Sequence, residues 1–323
     1  MKGNIPRQSL IPVVLTLALA IMTGACGEDG MNPIEVERYE FGGTSYTLIM
    51  NGYASMGGER VSEIFLLDDA AMTALWTYDA GEIGGMNFGH SADIVGDEML
   101  VSDTENDRVF IVEAANGIDT ASPGFSVVWN SETDGNFDLD YVNDADFLTD
   151  GNLLLTDRDN HRIMDVDRAT GEIDWQFGVT GQPGSNDTHL NGPHNGDRLD
   201  DGSTIVADSN NNRVLVIAED GSVLWEYDPS GADALNWPRD ADMLDDDHVL
   251  ITDSRNGRVV EVNPAGVVVW EFTISVVGTQ SQPYESDLLD NGNVLVSGPG
   301  INSTGSVFEV DYVTQDILWR YPE

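Results

Sequence analysis

The sequence predicts an all-β fold, a six-bladed β-propeller of four-stranded antiparallel blades, on three observations. Six of the seven tryptophans fall at positions 76, 129, 175, 225, 270 and 319, a spacing of 45 to 53 residues that suits one propeller blade and is too long for a leucine-rich unit. The phrase D-x-x-N-x-R recurs four times, through Asp103, Asp157, Asp208 and Asp253, then Asn106, Asn160, Asn211 and Asn256, then Arg108, Arg162, Arg213 and Arg258. Short alternating or apolar runs lie between these landmarks, punctuated by Gly and Asp-Gly, with no helical periodicity.

The third unit shows how each blade is written. "DADFL" alternates as a strand, Thr149 to Asn152 turn tightly, and "LLLTD" is a continuous apolar strand. "DRDN" turns, "HRIMDVD" alternates, "RATGE" turns, and "IDWQF" closes the unit on a large aromatic. The first and last units lack D-x-x-N-x-R but keep the order of strand, glycine-rich loop, strand, turn and a W-x-Y strand. Residues 34–41, "IEVERYEF", supply the inner strand of the first unit, so the terminal units meet when the ring closes. Recurrence assigns the motif to the scaffold: Asp and Arg pair across a turn, Asn satisfies turn backbone groups, and the Trp packs between blades.

Ahead of the ring, Lys2 and Arg7 precede the apolar run Leu10 to Met22, which has the length of a signal-peptide core and is short for a membrane span. "TGAC" follows and ends at Cys26, the only cysteine. It resembles the lipobox of bacterial lipoproteins, with Thr23 in the place of the usual leucine, and this implies lipid attachment at Cys26. The expected organisation is a lipoprotein-type signal peptide over 1–25, an acidic tether over 26–33 and the propeller over 34–323. An exported protein anchored to the bacterial cell envelope, periplasmic or surface-exposed, follows from that organisation. The net charge of −43, with 57 acids against 14 bases, repels a phosphate backbone and excludes nucleic acid as a partner.

A second column of residues opens each presumed inner strand: "HSADI" at His90, "NDADF" at Asn143, "HNGDR" at His194, "RDADM" at Arg239 and "YESDL" at Tyr284. The third position is always small, as crowding around an axis demands, and the fourth is always Asp (93, 146, 197, 242, 287), read as a repeated turn or backbone acceptor. The first position varies while staying large and polar, and binding in a propeller concentrates at the channel mouth. Arg158 joins this set as a base outside the shared Arg position. His161 and His248 read as solvent-facing turn residues, and His189 lies in a long loop. No calcium-loop spacing occurs and no third ligand accompanies His90 and His194, so neither metal nor cofactor is expected.

"GH" at His90, "LLLTDR" ending at Arg158 followed by "GEIDWQFG", and "GPHNGDRLDDGSTIVAD" containing His194 resemble the bacterial arylsulfate sulfotransferases, six-bladed propellers, over roughly residues 85 to 230. The resemblance implies sulfuryl transfer from an aryl sulfate to a phenolic acceptor. His194 would be the nucleophile, with Arg158 and His90 holding the sulfuryl oxygens, and Asn143, Arg239 and Tyr284 would line the substrate. Asn143 stands where the family has a further histidine, and an amide cannot shuttle a proton. The alternative expectation is a non-catalytic surface propeller that binds a ligand or a protein at its loops or channel mouth.

Overall fold

The computed structural model describes residues 32–54, 60–274, 282–299 and 305–322. They form six antiparallel sheets of four strands, and each sheet takes four strands consecutive in the chain. The innermost strands are Pro33–Phe41, Ser91–Val95, Val142–Phe147, Gly196–Arg198, Pro238–Met243 and Glu285–Leu288. The outermost are Thr73–Tyr78, Phe125–Asn130, Ile173–Phe177, Val223–Tyr227, Val268–Thr273 and Ile317–Tyr321. The expected six-bladed propeller is therefore the observed one. Cys26, the signal run and most of the tether lie outside the described residues, and among those described no helix is long and apolar enough to cross a membrane.

Each blade is covered on both faces by its neighbours, which explains why middle strands read as apolar runs. Leu153–Asp157, Thr204–Asp208 and Val249–Asp253 are buried at every residue. The core is correspondingly divided into clusters, each shared by adjacent blades, as where Leu154 and Ile163 of blade 3 meet Val206 and Leu215 of blade 4. The small third column is required by this crowding: a Cβ on Gly196 would lie 2.9 Å from Ile163 Cδ1.

The periodic tryptophans do more than cover area. Each Nε1–H donates to a main-chain carbonyl of the following blade: Trp76 to Ile118 (2.7 Å), Trp129 to Arg168 (3.1 Å) and Trp175 to Glu219 (2.8 Å). Trp225 reaches Pro264 (3.2 Å), Trp270 reaches Tyr312 (2.7 Å), and Trp319 closes the circle on Asp69 (3.4 Å). An indole can fill an interblade gap and bond across it at once, which no other apolar side chain does.

Ring closure exchanges no strand, because blade 1 is wholly N-terminal and blade 6 wholly C-terminal. Side chains hold the two together. Glu285 Oε2 accepts the Val36 N–H at 2.8 Å, Arg38 pairs with Glu309 at 2.5 Å, and Val36, Ile49 and Phe65 pack on Leu295, Val307 and Tyr321.

Candidate functional site

The D-x-x-N-x-R turns build the mouth as well as the scaffold. In blades 2 to 5 the Asp accepts the Arg Nε–H at 2.7 to 2.8 Å, and all four Asp side chains are fully buried. Its other oxygen accepts the backbone N–H of Asn87, Asp140, Asn191 or Asn236, three residues ahead of the mouth column. Asn and Arg of the motif donate to carbonyls of the same loop, as Asn106 and Arg108 do to Gly85. The unnamed fifth residue reaches the next blade: Asp107, His161 and Asn212 accept the N–H groups of Tyr141 (2.8 Å), Gly192 (3.0 Å) and Trp237 (2.8 Å). A neutral ring nitrogen must do this in His161, which fixes its proton on Nε2. His161 is therefore a half-buried strut behind the His194 loop, and the solvent-facing expectation for it does not hold.

The first column converges as the alignment of blades predicts. His90, Asn143, His194, Arg239 and Tyr284, completed by Ile34 of blade 1, line a narrow funnel of about 30 Å³ on the axis. β-Bulges aim three of them, because the pairing register slips at Ile34, Asn143 and Arg239. The rings of His90 and His194 stand 5.6 Å apart. His90 Nδ1 lies 3.0 Å from the Thr104 hydroxyl and 3.2 Å from the Phe88 carbonyl. Burial first, then the charge of the Arg239 guanidinium, hold the His194 imidazole well below the usual histidine range and keep it neutral.

Arg239 is 7% exposed, and its Nε and Nη1 have no hydrogen-bond partner. Burial pulls its guanidinium down to about 10, which leaves it charged at neutral pH. It stacks on Tyr284, 3.6 Å from the ring centre. Asn143 is 2% exposed with both amide atoms unpartnered. Arg158 stands to one side of the funnel, over Tyr141 at 5.1 Å, and is paired with Asp159 at 2.5 Å.

Three side chains that the sequence reading passed over surround this column. Phe88, Tyr141 and Trp237 each sit two residues ahead of a mouth residue in the left-handed backbone region, at φ 50°, 56° and 59°. Such a backbone costs an L-residue about 1–2 kcal/mol. Blade 4 has Gly192 there, at φ 58°. Trp237 lies edge-on to His194 at 5.4 Å and carries Arg239 and Arg255 against its ring at 4.5 and 4.1 Å. One signal for it was present: Trp237 is the single tryptophan outside the repeat period.

Beneath the mouth the axis turns acidic. The second-position side chains clip blades together: Glu35 accepts the N–H of Ala92, Ser91 that of Ala145, Asp144 that of Gly196 and Asp240 that of Ser286, at 3.0 to 3.2 Å. The fourth position forms a ring of six carboxyls, Glu37, Asp93, Asp146, Asp197, Asp242 and Asp287. Only Asp93 behaves as the expected backbone acceptor, taking the Phe147 N–H. Asp146, Asp197, Asp242 and Asp287 each keep a buried Oδ2 with no partner. Burial pushes all six up, and mutual repulsion adds to this in all but Asp93. Asp144 is raised to about 6 and Asp240 to about 7. Asp144, Asp146 and Asp197 bring one oxygen each within 4.8 Å of the others, a spacing that one divalent cation could bridge.

The other histidines stay outside the funnel, with His248 on Glu261 at 2.5 Å and His189 bonded to Asn186 within its loop. Six four-stranded blades around an axis with a polar funnel at one end define a ring propeller. The chain belongs to the PQQ_2 family, described as outer membrane protein assembly factor BamB, whose model matches residues 126–321. None of the curated proteins matches it. Among solved structures it is similar to a streptogramin B lyase, at 12% identity and TM-score 0.56, over 90% of this chain and 82% of that one. It is similar to a catalytically inactive virginiamycin B lyase variant from Staphylococcus aureus with quinupristin, at 13% identity and TM-score 0.54, over 90% and 85%. A protein of unknown function from Bacteroides caccae matches at 16% identity and TM-score 0.52, over 80% and 89%. These structures share the fold.

Proposed function

We propose that the funnel is the active site of an arylsulfotransferase-like propeller that moves a sulfuryl group from an aryl sulfate to a phenol through a sulfohistidine at His194. The observation that carries the reading is a neutral, buried imidazole beside Arg239, a buried cation with two unpartnered donors. A ring nitrogen of His194 attacks sulfur, an N–S bond forms, and the S–O bond to the aryl group breaks with its electron pair leaving on the phenolate. Arg239 and Arg158 stabilise the charge on the sulfuryl oxygens and the leaving oxygen. The acceptor phenol then attacks sulfur, the N–S bond breaks, and the phenolic proton passes to a ring nitrogen of His90. Asn143 and Tyr284 complete the wall around the transferred group. No cofactor is required. Lipid attachment at Cys26, after a signal peptide over 1–25, would place the propeller body 34–323 at the cell envelope, and the outer-membrane description of its family agrees with that location.

Transfer from 4-nitrophenyl sulfate to a phenol tests the reading. Turnover is expected to vanish in His194→Ala and to persist well below pH 6.5 in the native protein, because the lowered imidazole loses its free nitrogen only in stronger acid. A folded native protein that turns over no aryl sulfate across several donors would remove it. The second reading, a non-catalytic propeller that holds a ligand or a protein at the same mouth, is favoured by Asn143, whose amide can bond a ligand and cannot relay a proton.

A further inference from the structure

We infer that Asp144, Asp146 and Asp197 form a calcium site on the axis that ties blade 3 to blade 4 beneath the mouth. The site goes beyond the sulfuryl transfer proposed above and does not depend on it. Its ligands come from two neighbouring inner strands, Asp144 and Asp146 from Val142–Phe147 and Asp197 from Gly196–Arg198. No single loop supplies them, which is why loop spacing in the sequence gives no sign of the site. The strand period of two puts Asp144 and Asp146 on one face of their strand, and Asp144 Oδ2 reaches blade 4 by accepting the Gly196 N–H at 3.2 Å. One oxygen from each of the three lies within 4.8 Å of the others. Two calcium–oxygen bonds of about 2.3–2.6 Å each span that distance, whereas two magnesium–oxygen bonds of about 2.0–2.1 Å fall short of its upper end.

Three acids alone do not make a site, and two carboxamides point to a ligand. Asn143 is 2% exposed, neither of its amide atoms has a partner, and it faces the same axial cavity as Asp144. Asn195 lines that cavity too, bonds Asp197 through its side chain and keeps a buried Oδ1 with no partner. The Oδ2 atoms of Asp146 and Asp197 are likewise buried and unpartnered. Oxygens of the kind that calcium takes therefore stand without partners in and below a cavity of about 30 Å³, room enough for one ion. The charges that act on Asp146 are those of Asp144, Asp197, Asp93 and Glu35, all acids whose repulsion a divalent cation offsets. A second cavity, lined by Glu37 and Asp287, opens the same carboxyl ring away from the mouth. Asn143 and His194 stand one and three residues ahead of ligands, so the ion also fixes the spacing of blades 3 and 4 at the mouth.

Calorimetric titration of the full-length protein, stripped with EDTA and dialysed, with calcium chloride and with magnesium chloride tests this. One calcium per chain is expected with a dissociation constant below about 1 mM, and magnesium is expected to bind at least about tenfold more weakly. Calcium should also raise the thermal midpoint above that in sodium chloride of equal ionic strength, which screens the acidic surface without filling a site. Asp146→Asn and Asp197→Asn should each abolish both effects, while Asp287→Asn, from the same ring in blade 6, should leave them. Both ligand variants should fold, because each replaces an unpartnered buried carboxylate by an amide of the same shape. Melting in EDTA identifies one that does not, and the other then decides. Absence of calcium binding by the native protein, tighter binding of magnesium, a calcium response no larger than that of sodium chloride, or a response that survives in both ligand variants overturns the inference. Calcium binding that is lost in those variants supports it, whether or not the protein turns over an aryl sulfate.

Discussion

Two sets of buried carboxylates lie within the same blades and are treated in opposite ways. In the turns, Asp103, Asp157, Asp208 and Asp253 are each met by an Arg, an Asn and a backbone N–H. Along the axis, Asp146, Asp197, Asp242 and Asp287 each have an oxygen that meets nothing. Matched charges brace the loops that carry the mouth, while unmatched charges repel one another inside the ring. Burial alone therefore does not say whether a charge stabilises a fold; its partners do.

The two sets should respond with opposite sign. Asp208→Ala leaves Arg213 buried with one remaining acid, Glu226, at 2.9 Å, and is expected to cost about 3–5 kcal/mol in denaturant unfolding. A loss below about 1 kcal/mol would show that the turn pairs are ornamental. Asp242→Asn, which removes a buried carboxylate pushed up by burial and by the charges of Asp240 and Asp287, is expected to stabilise the protein at pH 8. The pH dependence follows the same logic. Asp144 and Asp240 titrate near 6 and 7 in the fold and near the ordinary carboxylate value when unfolded. Their contribution is thus fully present below the unfolded value and is lost as pH rises through 6 and 7. The thermal midpoint should climb as pH falls from 8 to 5, and a midpoint that drops over that range would contradict the unmatched state of the axis. The smallest effect is expected at the mouth strut. His161→Ala should weaken anion binding severalfold by freeing the Gly192 N–H, and His161→Asn should restore it, because Asn212 does the same work one blade on.

What the sequence disclosed follows from what repetition can encode. Aligning the units gave the blade number, the Asp–Arg pairs and the column His90, Asn143, His194, Arg239 and Tyr284 at one level of the axis. Position in a repeat does not reveal a partner across a blade boundary. The indole bonds to the next blade, the reach of His161 to Gly192 and the second-position clips were invisible for that reason. In the sequence the repeated Asp of the axis reads as a backbone acceptor because such acceptors are common, whereas in the fold only Asp93 takes an N–H. Phe88, Tyr141 and Trp237 sit just ahead of the aligned strands, outside the strand pattern that the repeat preserves. Their significance depends on a positive φ, which no residue pattern made of aromatics announces.

The seam between the first and last blades sets the order in which the molecule can be completed. Val36, Ile49 and Phe65 wait on Leu295, Val307 and Tyr321, so the apolar flank of the first blade made by the ribosome stays uncovered until the final blade emerges. With no strand crossing the seam to draw the ends together, closure is a late, all-side-chain docking event. In a chain carrying this much negative charge, ionic strength should govern the rate of that final step more than the rate of forming any single blade.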